Sequence, residues 1–266
     1  MRKIKPKSRW RFSLFVLAGL VGLGYFFAPV LINRYGYLAG IKTILKKGHE
    51  YYYGLPGEPV IWPKGHTVRG IDVSRYQTHV NWPEVRQDQI AFAFIKATEG
   101  FYRQDRLFNY HWQESCQVGL LRGAYHFYRP GQPALLQALN FIRVVSLQSG
   151  DLPPVLDIEE SDSHSAEELR AGVTTWLKLV EKNYAVKPII YTNYNFYERY
   201  LAGYFDEYPL WIAHYQVPRL RINPSPNRKL KFWQHTDRGK VAGIKGRVDC
   251  NVFYGSSRDL KQLCLR

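Results

Sequence analysis

Eight short apolar runs punctuate the last three quarters of this 266-residue chain, at 68–72, 92–98, 124–128, 155–159, 189–192, 210–214, 231–235 and 248–253. Each has the length of a strand. Segments of helical character lie between the early ones. Over 165–183, Ser165 and Glu168 make a capping box, and Leu169, Val173, Trp176, Leu177 and Val180 follow at helical spacing. Residues 134–145 read similarly. Strands that alternate with helices predict parallel βαβ units. The alternation fails late. Residues 217–229 hold Pro218, Pro224 and Pro226, and residues 236–247 hold Gly239, Gly243 and Gly246 without an apolar stripe, so neither stretch supports a long helix. Five strands with helices and three without predict an α/β fold, an irregular TIM-like barrel of the form (β/α)5(β)3, more compact than the usual ~250 residues. In such barrels the active site sits at the C-terminal ends of the strands.

Acids occupy those ends. Asp72 closes the first run, Asp157 and Glu159 close the fourth, and Asp249 lies in the eighth, which neighbours the first if the barrel closes. Residues i and i+2 of a strand point the same way, so Asp157 and Glu159 share a face and Ile158 takes the other. Four carboxylates at one rim repel one another, which drives their pKa values apart and supplies a general acid and a base at one pH. Carboxylate pairs cleave glycosidic bonds in this way. Helix capping or pairing with arginine is the bland alternative for such acids, and a carboxylate metal site is a third. The eight histidines are scattered without an H-E-x-x-H, and no G-x-S-x-G is present. We expect neither metal nor cofactor.

Aromatic residues form 15% of the chain, several of them at strand ends: Tyr125, Phe127, Tyr191, Trp211, Tyr215 and Trp233. Flat rings beside acids fit sugar faces, although barrel packing explains any single one. Tyr125, Phe127, Tyr191, Trp211 and Tyr215, with Gln234 and Glu99, are taken as substrate-binding candidates.

The formal charge of +15 invites a nucleic-acid reading, but its distribution argues against one. Residues 1–65 hold 11 Lys and Arg against Glu50 and Glu58, a net +9, which leaves +6 for the remaining 201 residues. Six cations precede an uncharged run at 12–32, long enough at ~1.5 Å per residue to span a hydrocarbon core of roughly 30 Å. We expect a cytoplasmic arm (1–11), an uncleaved transmembrane helix (12–32), a juxtamembrane stalk (33–66) and a catalytic barrel (67–266). Positive flanks stay cytoplasmic, so the barrel is expected on the periplasmic side of a bacterial inner membrane. Three cysteines exclude a disulfide scaffold; Cys116, Cys250 and Cys264 leave room for one bridge and one free thiol. A basic run from Arg219 to Arg247 carries nine cations and one acid, Asp237, and suits an acidic wall glycan better than nucleic acid.

Together the segments RGIDVSRYQ (69–77), VNWPEV (80–85), AFAFIKATEG (91–100), GAYHFYRP (123–130), LPPVLDIEE (152–160), PIIYTNYNFY (188–197), LWIAHY (210–215) and FWQHTDRGKVAGIKGRVDCNVFYGS (232–256) resemble family 25 of the glycoside hydrolases, the muramidase-type lysozymes. The resemblance spans about 67–257. It implies a barrel of five β/α units and three further strands. It implies hydrolysis of the β-1,4 bond between N-acetylmuramic acid and N-acetylglucosamine in peptidoglycan. Glu159 matches the general acid, and Asp157 the acid that orients the 2-acetamido group. Asp72 and Asp249 match the other two active-site aspartates, and Tyr125 and Tyr191 match positions lining the sugar groove. Cys250 follows the last aspartate, where the family more often has an apolar residue, and is expected to point away from the site. Two other readings remain: an anchored peptidoglycan-binding module without catalysis, and a barrel glycosidase acting on chitin-like chains.

Overall fold

The protein is described from a computed structural model covering residues 60–222 and 229–266. The arm, the uncharged run at 12–32 and most of the expected stalk lie outside these residues, as does 223–228 of the proline-rich stretch. Among the described residues no helix is long and apolar enough to cross a membrane.

Strands β1 (Arg69–Val73), β2 (Ile90–Glu99), β3 (Arg103–Gln104), β4 (Leu121–Phe127), β5 (Val155–Asp157), β6 (Ile189–Asn193), β7 (Leu210–Ala213), β8 (Leu230–Gly239) and β9 (Val248–Phe253) form one sheet. Its order is β1-β9-β8-β7-β6-β5-β4-β2-β3, and pairing of β1 with β2 closes it into an eight-stranded barrel. The two-residue β3, which the apolar runs do not reveal, pairs only with the end of β2. Helices α1 (Trp82–Gln87), α2 (Phe108–Gln117), α3 (Ala134–Val144) and α4 (Ala166–Tyr184) follow the first four barrel strands. After β6 comes α5 (Tyr194–Phe196), which runs into a π-helical turn, Tyr197–Leu201. The capping box at Ser165 and Glu168 is formed, and α4 buries the five apolar residues its spacing predicts. The (β/α)5(β)3 pattern thus holds.

One strand departs from a parallel barrel. β9 is antiparallel to both β8 and β1. Its start therefore lies at the rim where the other strands end, and Asp249, its second residue, pairs directly with Asp72.

Alternation along the strands sorts the core into two layers. Phe92, Phe94, Val155, Ile189, Trp211, Phe232 and Phe253 fill the barrel interior, whereas Ile71, Ile95, Leu156, Ile190, Ile212 and Val252 face the helices. Phe94 stacks on Trp211 with ring centroids 4.4 Å apart. The terminal helix α6 (Ser257–Leu263) contributes Leu260 to the interior cluster, and the tail beyond it bonds to the 148–151 loop through Gly150 N–H to the Leu265 carbonyl and Leu265 N–H to that of Asp151. Val60, Ile61 and Trp62 pack against the outer layer, with Trp62 edge-on to His235. Cys116 is exposed, Cys250 and Cys264 are buried, and all three are free thiols. Cys250 points away from the site as expected, yet is fully buried in the outer layer. Trp233 belongs to that layer too: its place between inward Phe232 and Gln234 turns it away from the rim, where its indole donates to the His214 carbonyl.

Candidate active site

Strand ends bring the four acids together at one rim. Asp72, Asp157, Glu159 and Asp249 line a cleft of about 210 Å³ with Tyr125, Phe127, Tyr191, Trp211 and Gln234. Ser74, Tyr76 and Lys96 complete its wall.

The acids form two hydrogen-bonded carboxyl pairs. In the first, Asp72 is buried and its Oδ2 accepts from Gln234 Nε2 and Asn251 Nδ2, both at 2.8 Å. Burial raises the Asp72 pKa, and the bonds from Asn251, Gln234 and Asp249 oppose that rise. Asp249 is pushed well above the usual carboxylate range, by burial first and then by the charge of Asp72. Burial and the charge of Asp72 thus favour the protonated form of Asp249, and the bonds to Asp72 favour its ionised form. The donors to Asp72 are themselves fixed. Tyr191 Oη donates to Gln234 Oε1 at 2.7 Å, Tyr215 Oη donates to the same oxygen, and Trp211 Nε1 donates to Asn251 Oδ1 at 2.8 Å. Each amide is thereby turned so that its N–H points at the carboxylate.

The second pair is Asp157 and Glu159, whose carboxyls share a hydrogen bond. β5 ends at Asp157, and the chain beyond it keeps the alternation, with Ile158 buried among the outer-layer residues. Burial raises both pKa values; the charge of Glu159 and the bond to it raise Asp157 further, whereas the bond from Asp157 opposes the rise at Glu159 and the charge of Asp72 adds to it. One proton is held between them. Tyr125 and Tyr191, buried beside these acids, are pushed well above 10 by burial and by the surrounding carboxylate charge, so both remain hydroxyl donors.

Glu99 is one of two candidates, with Tyr215, that do not line the cleft. Its carboxylate meets Lys96 Nζ at 2.8 Å, Arg129 Nη2 at 2.8 Å and Arg103 Nη1 at 3.4 Å. Burial alone would raise its pKa, but Lys96 and Arg129 hold it at about 2. Three cations thus compete with any sugar for its oxygens. Glu99 instead positions Lys96, which does line the cleft and sits 4.6 Å from the Phe127 ring centroid, as Arg129 also does. Tyr215 supports the site by orienting Gln234 rather than by lining the cleft.

Sequence reasoning missed Asn251 and Lys96, together with Ser74 and Tyr76. Asn251 stands at i+2 from Asp249, so the same alternation that joined Asp157 to Glu159 marks it. Among the described residues no group of His, Cys, Asp and Glu is placed to hold a metal ion.

The sequence model of "Glycosyl hydrolases family 25" matches residues 71–244. An uncharacterized protein of Escherichia coli O6:H1, YegX, is 41% identical over 97% of this chain and 96% of its own length. Lysozyme M1 of Streptomyces globisporus is 34% identical over 78% of this chain and 75% of its own. Among solved structures, the bacterial lysozyme of Streptomyces coelicolor superposes with a TM-score of 0.70 at 32% identity, covering 76% of this chain and 98% of that one. With two carboxyl pairs at the rim of a (β/α)5(β)3 barrel, this chain is a glycoside hydrolase of lysozyme type and belongs to family 25 of the glycosyl hydrolases.

Proposed function

We propose that the chain is a muramidase, hydrolysing the β-1,4 bond between N-acetylmuramic acid and N-acetylglucosamine of peptidoglycan from a membrane anchor. The observation that carries this reading is the division of four rim carboxyls into two proton-sharing pairs within one aromatic-walled cleft. Glu159, the less buried member of its pair, donates the shared proton to the glycosidic oxygen. Once the proton has left, the Asp157–Glu159 pair carries its full negative charge and takes a proton back from water. Ionised Asp72 faces the positive charge that develops on the sugar ring.

Asp157 touches Glu159 directly. That is closer than the ~5–5.5 Å of an acid and an opposed nucleophile, or the ~6.5–9.5 Å that leaves room for water. Asp157 is therefore not set for attack on the anomeric carbon, and the family resemblance assigns it to the 2-acetamido group. The anchor reading rests on the uncharged run at 12–32 behind six cations. It makes the enzyme a worker on wall material reached from the periplasmic face of a bacterial inner membrane.

The test is to incubate the full chain with purified peptidoglycan and with chitin oligomers, and weigh the reducing-end products. Fragments ending in reducing muramic acid are expected. Reducing N-acetylglucosamine ends, or binding without cleavage, overturn the assignment. Retention of the chain in membranes through alkaline carbonate washing is the companion expectation, and its release refutes the anchor.

A further inference from the structure

The β8–β9 connection carries a second concavity that the cleavage chemistry leaves unused. It has a volume of about 630 Å³ and is lined by Arg238, Lys240 and Arg247 over the apolar floor of Val241 and Ile244, with no carboxylate among the described residues of its wall. Asp237 lies alongside, 3.5 Å from the Arg238 guanidinium, and offsets only part of the positive charge.

The connection is held in place. Asn81 N–H donates to the Gly243 carbonyl at 2.7 Å, Val80 bridges to Ile244, and Ala242 N–H donates to Asp88 Oδ2 at 3.0 Å. Gly243 has φ +83°, and a side chain there would sit 2.4 Å from the Asn81 carbonyl oxygen. The cations are thus carried on a pinned loop.

The concavity adjoins the cleft. Arg247 is two residues before Asp249. Gln77 bridges the two, donating from Nε2 to the Arg247 carbonyl and accepting at Oε1 from the N–H of Ser74, which lines the cleft. Asp237 is near enough to Asp249 for its charge to help raise that group's pKa.

We propose that this basic concavity is a subsite for the carboxylates of the stem peptide carried on muramic acid, so that the enzyme prefers peptide-bearing glycan to naked glycan. The proposal rests on the muramidase reading. An anion suits it because Arg238 and Arg247 carry more positive charge than Asp237 offsets, and a stem peptide suits it because that peptide leaves the sugar ring beside the bond in the cleft.

The test compares the full chain on peptide-bearing glycan strands and on the same strands stripped by an amidase. Wild type is expected to show a kcat/KM roughly three- to tenfold higher on peptide-bearing strands, the scale of two or three exposed charge pairs, and to lose this preference as salt is raised. The double variant Arg238→Gln/Arg247→Gln is expected to cut stripped strands as wild type does and to show no preference. Arg247→Glu is expected to reverse it. An unchanged preference in the double variant, with its melting temperature also unchanged, overturns the subsite. A preference that follows added anionic polymer rather than the stem peptide assigns the concavity to another wall anion and overturns the proposal as stated. Failure to cut either substrate would instead defeat the muramidase reading, which the stripped strands report separately.

Discussion

Asn251→Leu tests the claim that Asp72 is kept ionised by fixed amide donors. Asn251 is fully buried and outside the cleft lining, so the exchange removes hydrogen bonds without touching substrate. Two bonds are lost, Asn251 Nδ2 to Asp72 Oδ2 and Trp211 Nε1 to Asn251 Oδ1, each 2.8 Å. A bond to a charged group is worth about 1.5–3 kcal/mol, and a buried N–H left unpartnered costs about 1–3 kcal/mol. The first loss falls on the ionised form of Asp72 alone, and at 1.36 kcal/mol per unit it raises the pKa by about one to two units. The second is independent of pH.

The sign follows from linkage. The folded pKa of Asp72 is already raised above its ordinary 3.8. Its contribution is therefore complete below 3.8 and lost as pH climbs through the folded pKa. The variant climbs further and loses more. Urea unfolding followed by tryptophan fluorescence should show a deficit of about 1–3 kcal/mol near pH 4, growing to about 2.5–6 kcal/mol at neutral pH. The acid limb of kcat/KM should move upward by the same one to two units. A deficit that is flat in pH, with the acid limb unmoved, would refute an ionised, amide-held Asp72.

Glu159→Gln should lower kcat by about 10²–10⁴-fold, the scale of general acid catalysis, while glycan binding measured by co-sedimentation persists; unchanged turnover removes Glu159 as the acid. Glu99 has a depressed pKa, so the stability it contributes is present above its ordinary 4.5 and is lost as pH falls toward about 2. Glu99→Gln should accordingly flatten the stability profile across that window, and a profile parallel to wild type would sink the ion-cluster account. Gly70→Ala places a methyl 2.3 Å from the Phe92 ring inside the barrel, and should cost about 1–3 kcal/mol of stability by overpacking in a denaturant titration; a neutral effect would show that the Phe92 ring yields freely.

Much of the barrel is legible in the sequence because its two signals are local. Seven of the eight apolar runs overlap strands through most of their length, and 155–159 overlaps β5 until Asp157. The α4 capping box lies within four residues, and the Asp157–Glu159 pairing needs only the two-residue period. Tyr215 and Glu99 were harder. Tyr215 lies past the end of β7 and reaches Gln234 only across the rim. Glu99 depends on a register shift between β2 and β4 at Lys96 and Thr98, which breaks the two-residue period. Strict alternation from Phe94 would aim Thr98 at the interior. Beyond the shift Thr98 bonds His126, which stacks on Trp176 of α4, and Glu99 turns into the Lys96–Arg129 cluster.

The sequence by itself determined the eight strands of the barrel, the helix-poor second half and the four acids, since hydrophobic periodicity and end-of-strand placement are properties of neighbouring residues. The uneven charge was equally plain from composition along the chain. Only the tertiary structure decided which carboxyl holds a proton. Asp72 and Asp249 lie 177 positions apart, and become a proton-sharing pair because β9 runs antiparallel to β1 and sets them opposite each other. Their ionisation then depends on burial and on amide donors from β8 and β9, which no local pattern specifies because dielectric and hydrogen-bond direction exist only once the barrel has closed.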